Sequence, residues 1–201
     1  DQGNRFSESF YDQILVKPEI KTVYKVDMQK EFVFGMGYKY ETLNRTFFDS
    51  KPKQNSPFIY FQYDFYPTEK INLIFGGRFD KFEEYKSQFS PKLSGIFEIN
   101  NNESIKLSAG YGYKTPDFRQ LYFNFSNSSV GYSVIGYNVV EDVLNQLIEE
   151  GQIANIIVPI EEFQESLSPE SSFGFNIGYN IEVNEQVSIS TNIFRNSAKN
   201  L

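Results

Sequence analysis

The sequence predicts an all-β chain folded as an antiparallel up-and-down meander of about eight strands. Three observations carry that reading. Apolar residues recur with a period of two in segment after segment, short and long connections alternate, and the face opposite the apolar one is built from Gly, Ser, Asn and isolated charges. Period two is the signature of a strand with one greasy and one polar face, whereas helices repeat every 3.6 residues.

Taken in order, Ile20–Val26 is the weakest instance. Phe32, Phe34, Met36, Tyr38 and Tyr40 share one face of the next strand, against Val33, Gly35, Gly37 and Lys39. Ile59, Phe61, Tyr63 and Phe65 alternate with Tyr60, Gln62 and Asp64, and Ile71, Leu73, Phe75, Gly77 and Phe79 follow with the same rhythm. Leu93–Ile99 and Ile105–Tyr113 form the next pair, then Phe173–Val183 and Val187–Ile193. Tight polar turns are expected at Asp27–Lys30, Pro67–Lys70, Asn100–Asn102 and Asn184–Gln186. Between them lie longer connections at 43–57, 81–90 and 114–170.

In a meander, alternate connections emerge at opposite ends, so one end is trimmed and the other elaborated. Bacterial outer-membrane barrels show that asymmetry, with short turns on one side and long external loops on the other. Aromatic residues near strand ends (Tyr38, Tyr40, Phe65, Phe79, Tyr111, Tyr113, Phe173) match an interfacial girdle. A soluble aromatic core is the plainer alternative. The glycines of the polar face suit a lumen that other chain segments approach closely. The longest connection, 114–170, holds the one convincing helix, near 139–150, with Asn138 and Glu141 as a capping-box variant and Gly151 as the stop. Packing of the loop is its commoner role, with part of an external lid the alternative.

Composition narrows the chemistry. The 201 residues include no Cys, His or Trp, but 21 Phe and 14 Tyr. Zinc fingers, thiol redox motifs, Ser–His or Cys–His catalysis and imidazole metal sites are therefore excluded, while a carboxylate-only glycosidase or an oxygen-ligand calcium site survives; no metal site and no cofactor is assigned. Nineteen basic against 26 acidic residues, a net −7, disfavour nucleic acid as a partner. The carboxylate pairs Glu83/Glu84, Glu149/Glu150 and Glu161/Glu162 are adjacent in sequence, and neighbours on a strand point to opposite faces. No catalytic residue is assigned, and the chain is read as no enzyme. No stretch approaches the ~18 apolar residues of a membrane helix, which leaves membrane strands open. The opening Asp1-Gln2-Gly3-Asn4-Arg5 has neither a basic nor an apolar leader, so a mature, processed or cut chain is expected.

Three blocks are more specific. The first is Ser90-Pro91-Lys92-Leu93. The second is Gly110-Tyr111-Gly112-Tyr113-Lys114-Thr115-Pro116-Asp117-Phe118-Arg119-Gln120-Leu121-Tyr122. The third is Leu167-Ser168-Pro169-Glu170. In this order they resemble the β-barrel of TonB-dependent outer-membrane receptors, over roughly 90–201. The Phe-Arg-Gln-Leu-Tyr run and the helix-bearing loop resemble receptors of the Bacteroidetes. In the strand reading, Pro91 and Pro169 open strands and Pro116 ends one, because proline cannot donate to the ladder.

The resemblance implies residues 1–201 are a fragment of a large transmembrane β-barrel, with 114–170 a long extracellular loop. It implies the outer membrane of a Gram-negative bacterium, with lipid against the apolar face. It implies TonB-energised uptake of a scarce bulky nutrient: ferric siderophore, haem, cobalamin or glycan. The sequence departs from such receptors in holding about eight strands of roughly 22, with no recognisable plug domain to meet TonB, and in stopping within a strand. An isolated piece with two unpaired edges is expected to self-associate. Candidate ligand contacts in the long loop are Arg119, Tyr122, Phe123 and Tyr132, with Phe125 and Tyr137 beside them. A soluble β-rich binding module, such as a carbohydrate-recognition domain, is the alternative function.

Overall fold

The structure is a computed structural model that describes residues 9–127, 129–153, 155, 157–163 and 167–200. Among the described residues, eleven strands and two α-helices follow one another. The strands are β1 (Tyr11–Val16), β2 (Glu19–Asp27), β3 (Lys30–Arg45), β4 (Lys53–Thr68), β5 (Ile71–Asp80), β6 (Gln88–Asn100), β7 (Glu103–Lys114), β8 (Asn124–Asn127), β9 (Tyr132–Ile135), β10 (Glu170–Asn184) and β11 (Val187–Lys199). Helices α1 (Phe118–Tyr122) and α2 (Val140–Glu149) lie between β7 and β10. The main sheet has nine strands in the order β1-β3-β4-β5-β6-β7-β10-β11, with β2 also paired to β3, and β8-β9 form a separate hairpin. The antiparallel meander is thus the fold.

The chain forms two compact units, one of residues 17–38, 56–115 and 168–201 and one of 1–16, 39–55 and 116–167. In the first, odd-numbered side chains of β4 to β7, β10 and β11 fall on one face and even-numbered ones on the other. The outward face is open along its whole length: Phe61 is 45% exposed, Leu93 56%, Phe173 52% and Ile193 70%. A soluble sandwich would bury such a face, and an apolar patch this extensive marks contact with lipid or protein. Facing aromatics still stack within it, as Phe32 does on Tyr63 with ring centroids 4.2 Å apart. The opposite face is polar, and side chains on it pair with one another: Arg78 donates to Asp80 through Nε and Nη2 at 2.8 and 2.6 Å, and Asn72 to Asp64 at 2.5 Å.

The four tight turns repeat one device. Asp27, Thr68, Asn100 and Asn184 each accept, through a side-chain oxygen, the backbone N–H two residues on, at 2.8–3.3 Å. Each hairpin also shifts register just before that residue. Successive turns are linked: the carbonyls of Gln29, Lys70 and Asn102 accept from Tyr66, Glu98 and Glu182, each two residues before the next turn's side-chain acceptor. Short polar side chains that mimic a backbone turn explain why Asx and Thr stand at these four places.

Several expectations change. Strand β1 joins the sheet although Tyr11-Asp12-Gln13-Ile14-Leu15-Val16 does not alternate, because its register with Tyr40–Arg45 is set by β3. The connection expected over 43–57 shrinks to 46–52, since β3 and β4 continue through the polar residues Thr42, Gln54 and Ser56, which are buried. Thr42 Oγ1 finds its acceptor in the Pro52 carbonyl at 2.9 Å. Pro91 lies inside β6 rather than opening it. The β6–β7 ladder begins at Lys92, so residue 91 owes β7 no hydrogen bond. Pro169 does immediately precede β10, and β7 ends two residues before Pro116.

Three glycines of the polar face are covered by side chains of the same sheet. A Cβ on Gly35 would lie 2.2 Å from the Tyr60 ring, one on Gly37 2.5 Å from the Phe58 ring, and one on Gly174 2.8 Å from Asn196 Oδ1. Gly35 thereby lets Tyr60 cross β3 and donate its hydroxyl to Glu19 on β2 at 2.7 Å. Close approach is real, but the neighbouring strand supplies the approaching group.

Candidate functional site

The second unit is where aromatic residues gather instead of spreading. Helix α1 begins with a capping box in which Asp117 Oδ1 accepts the Gln120 N–H at 2.8 Å and Gln120 Oε1 accepts the Asp117 N–H at 2.9 Å. That cap sets the direction in which the chain leaves Pro116, and it buries Phe118 and Leu121. The backbone then folds back on the helix: Tyr137 and Asn138 N–H donate to the carbonyls of Gln120 and Leu121 at 2.9 and 2.8 Å. Gly136 permits this contact, since a Cβ there would sit 2.5 Å from the Leu121–Tyr122 peptide.

The cap of α2 is Val139, one residue past the expected Asn138, and its side chain makes no capping bond. The C-terminus behaves as its sequence implies. Gly151 takes φ +67°, with Gly151 N–H to Ile148 and Gln152 N–H to Leu147 closing a Schellman motif.

At the centre of the ring cluster stands Arg45. Its guanidinium carbon lies 5.9, 5.7 and 5.3 Å from the ring centroids of Tyr11, Phe48 and Phe123. The Nε of Arg45 is buried without a hydrogen bond, so the three rings are its immediate surroundings. Phe47, in the left-handed region at φ 71°, packs edge-on against Phe123 and Phe125 at 5.7 and 4.9 Å. The strain is held by its carbonyl, which accepts the Asn124 N–H at 2.8 Å, and by Asn124 Nδ2 donating to Asp49 at 2.8 Å.

The four candidate residues separate. Phe123 belongs to the Arg45 box, and Tyr132 extends the same row of rings through Phe125, at 6.0 Å and half exposed. Tyr122 packs against Phe48 and Phe118 at 6.5 and 6.2 Å. Arg119 is exposed on α1, and its guanidinium makes no ion pair or hydrogen bond with a described residue. Tyr137 stands apart against Phe163 and donates its hydroxyl to the Glu162 carbonyl at 3.2 Å. Sequence reading missed Tyr11, Arg45, Phe47, Phe48 and Asp49. The available signal was Arg45-Thr46-Phe47-Phe48, two adjacent rings and a cation inside a polar connection.

An exposed cation and half-exposed rings offer charge and stacking to a planar or anionic small molecule, while Arg45, whose Nε is buried, lies among the rings. Among the described residues no group of carboxylates is placed to hold a metal ion directly.

Residues 3–201 match the family model described as "TonB dependent receptor-like, beta-barrel". The chain belongs to the TonB-dependent receptor β-barrel family. Over 69 residues it is 29% identical to the iron-regulated outer membrane virulence protein of Vibrio cholerae serotype O1, a stretch covering 34% of this chain and 11% of that protein. Among solved structures, the siderophore receptor PirA from Pseudomonas aeruginosa superposes with TM-score 0.70 at 18% identity, over 98% of this chain and 33% of that one. The FrpB iron transporter from Neisseria meningitidis gives 0.64 at 13%, over 95% and 29%. The chain thus spans a third or less of the length of these structures. Membership places it in the outer membrane of a Gram-negative bacterium, in a family of transport receptors rather than enzymes.

Proposed function

We propose that this chain is wall and external loop of an outer-membrane receptor that takes up iron as a ferric siderophore. The observation that carries the reading is the pairing of an outward apolar face on a barrel-family sheet with a ring-and-guanidinium cluster in the segments between strands. The wall residues meet lipid, and the loop 114–170 faces the exterior. The related receptors and transporters named above handle siderophores or iron, which favours that cargo over haem, cobalamin or glycan. Energy reaches the receptor through TonB acting on a plug domain. The role is passive gating, with no bond made or broken in the cargo, so the chain acts as no enzyme. Apart from such a receptor, the open edges of β2 and β11 and the apolar face drive self-association.

Arg119, Tyr122, Phe123 and Tyr132 supply ligand contacts, with Arg45 holding Phe123 in place. Cells depending on the full-length receptor for radiolabelled ferric siderophore should take up several-fold less with the Arg119→Ala/Tyr132→Ala pair, at equal receptor abundance in the outer membrane. Unchanged uptake removes those two residues from the site. Absence of uptake of any ferric siderophore by the unaltered receptor removes the cargo.

A further inference from the structure

On the outward face, β2, β3, β4 and β5 do not form a smooth wall. A groove of about 530 Å³ opens between Ile20, Met36, Tyr38, Ile59 and Phe79, closed at one end by Pro18 and Pro57. Its volume falls within the ~300–1,000 Å³ of clefts that hold small molecules. One local feature shapes it: the Tyr38 N–H is met by the Pro18 carbonyl at 3.1 Å, where the chain steps from β1 to β2.

Two charged residues line the groove, Lys81 and Glu19. Lys81 lies at the rim just past the end of β5, and its ammonium group makes no ion pair with a described residue. Glu19 also lines the groove, but its carboxylate is engaged by the Tyr60 hydroxyl at 2.7 Å, and its alternation places it on the face opposite Ile20. An apolar trough ending in an unpaired cation matches one occupant: a lipid acyl chain whose phosphate pairs with the cation.

We propose that this groove is a site for a phosphorylated lipid, with an acyl chain between Met36, Ile59 and Phe79 and the phosphate on Lys81. The inference rests on the membrane-facing reading of this sheet given above. It goes further in assigning one place on the face a preference for anionic lipid.

The chain contains no tryptophan, so an introduced indole reports locally. The full-length receptor, otherwise freed of tryptophan, carries Ile59→Trp in the groove or Ile177→Trp elsewhere on the outward face. Each is reconstituted in phosphatidylcholine vesicles holding a minor fraction of either brominated phosphatidylglycerol or brominated phosphatidylcholine. The groove indole should favour phosphatidylglycerol as quencher about fivefold, the ratio expected for one lysine near a membrane surface. The reference indole should show no preference, and Lys81→Gln should bring the groove ratio to about one. Inorganic phosphate should leave the preference intact.

Equal quenching of the Ile59→Trp indole by both lipids overturns the proposal, as does an equal preference at Ile177→Trp. Loss of the preference on adding inorganic phosphate would assign Lys81 to a free anion and overturn the lipid site. If neither indole is quenched by either lipid in a folded receptor, the membrane-facing reading itself fails.

Discussion

In the sheet of 17–38, 56–115 and 168–201, Phe and Tyr stand in rows along successive strands, spaced by two residues and open to the surroundings. In 1–16, 39–55 and 116–167 the same residue types converge on one cation, at centroid distances of 5–6 Å. The first arrangement is maintained by backbone ladders and repeating turns, with the side chains of one face left exposed. The second is maintained by side chains on side chains, with the backbone in caps, a strained Phe47 and a tight return at Gly136. Aromatic content alone therefore identifies neither region. What distinguishes them is whether a ladder or a cluster of rings holds the chain in place.

The largest test of the contrast is a charge on the wall. Phe175 faces outward in the middle of β10, and Asn176 faces the other way. In the full-length receptor in vesicles, Phe175→Arg should cost about 2–4 kcal/mol in urea unfolding, as charges do at the middle of a barrel's lipid face. Asn176→Arg should cost less than about 1 kcal/mol, because the opposite face of such barrels is polar. Equal costs would show that the two faces do not meet different media.

A smaller effect is expected where the wall depends on side-chain fit. Gly35→Ala puts a Cβ into the Tyr60 ring, which the hydroxyl bond to Glu19 fixes in place. Overpacking of this kind costs roughly 1–3 kcal/mol. Tyr60→Ala should remove most of that penalty in the double variant, whereas additive losses would mean that the ring does not occupy this space.

The loop cluster should respond independently. Arg45→Met keeps the stem and removes the cation. It should weaken the cluster by about 1–2 kcal/mol, the range of cation–π contacts shielded from water. Hydrogen exchange at the Asn124 N–H, which donates to Phe47, should accelerate, while amides of the β5–β6 ladder keep their protection. Faster exchange in both regions would mean that the cluster also supports the wall.

These regions were legible to different degrees for physical reasons. Strand alternation is enforced by two media on two faces, so Phe32–Tyr40, Ile59–Phe65 and Phe173–Val183 announce themselves, and the four turns carry their Asx or Thr acceptors openly. The strands' polar extensions were hidden, because Thr42, Gln54 and Ser56 are buried by local partners rather than by apolar character. β1 was hidden because its place is dictated by Tyr40–Arg45 across the ladder. In the cluster, Phe123 was visible from its ring and its position in the long loop. Arg45 belongs to a strand end some eighty residues earlier in sequence, and no periodicity connects two such positions.

The smallest predicted effect bears on the turns, where the wall comes nearest to the side-chain logic of the loop. Asn100 Oδ1 accepts the Asn102 N–H at 2.9 Å, and the Asn102 carbonyl accepts from Glu182 at 2.8 Å. Asn184 makes the same bond within its own turn, at 2.9 Å to Gln186. If each turn is only a local clasp, Asn100→Ala and Asn184→Ala should each cost about 0.5–1.5 kcal/mol, the net worth of one hydrogen bond. If the turns act as a linked row, Asn100→Ala should also loosen the contact to β10, seen as faster exchange of the Glu182 N–H. Asn184→Ala should leave the Glu98 N–H, two turns away, unchanged. Identical, confined effects from both substitutions would reduce the row to independent hairpins. An effect of Asn100→Ala at Glu182 would show that the trimmed end is ordered from strand to strand by its turns, as the loop cluster is ordered from ring to ring by its contacts.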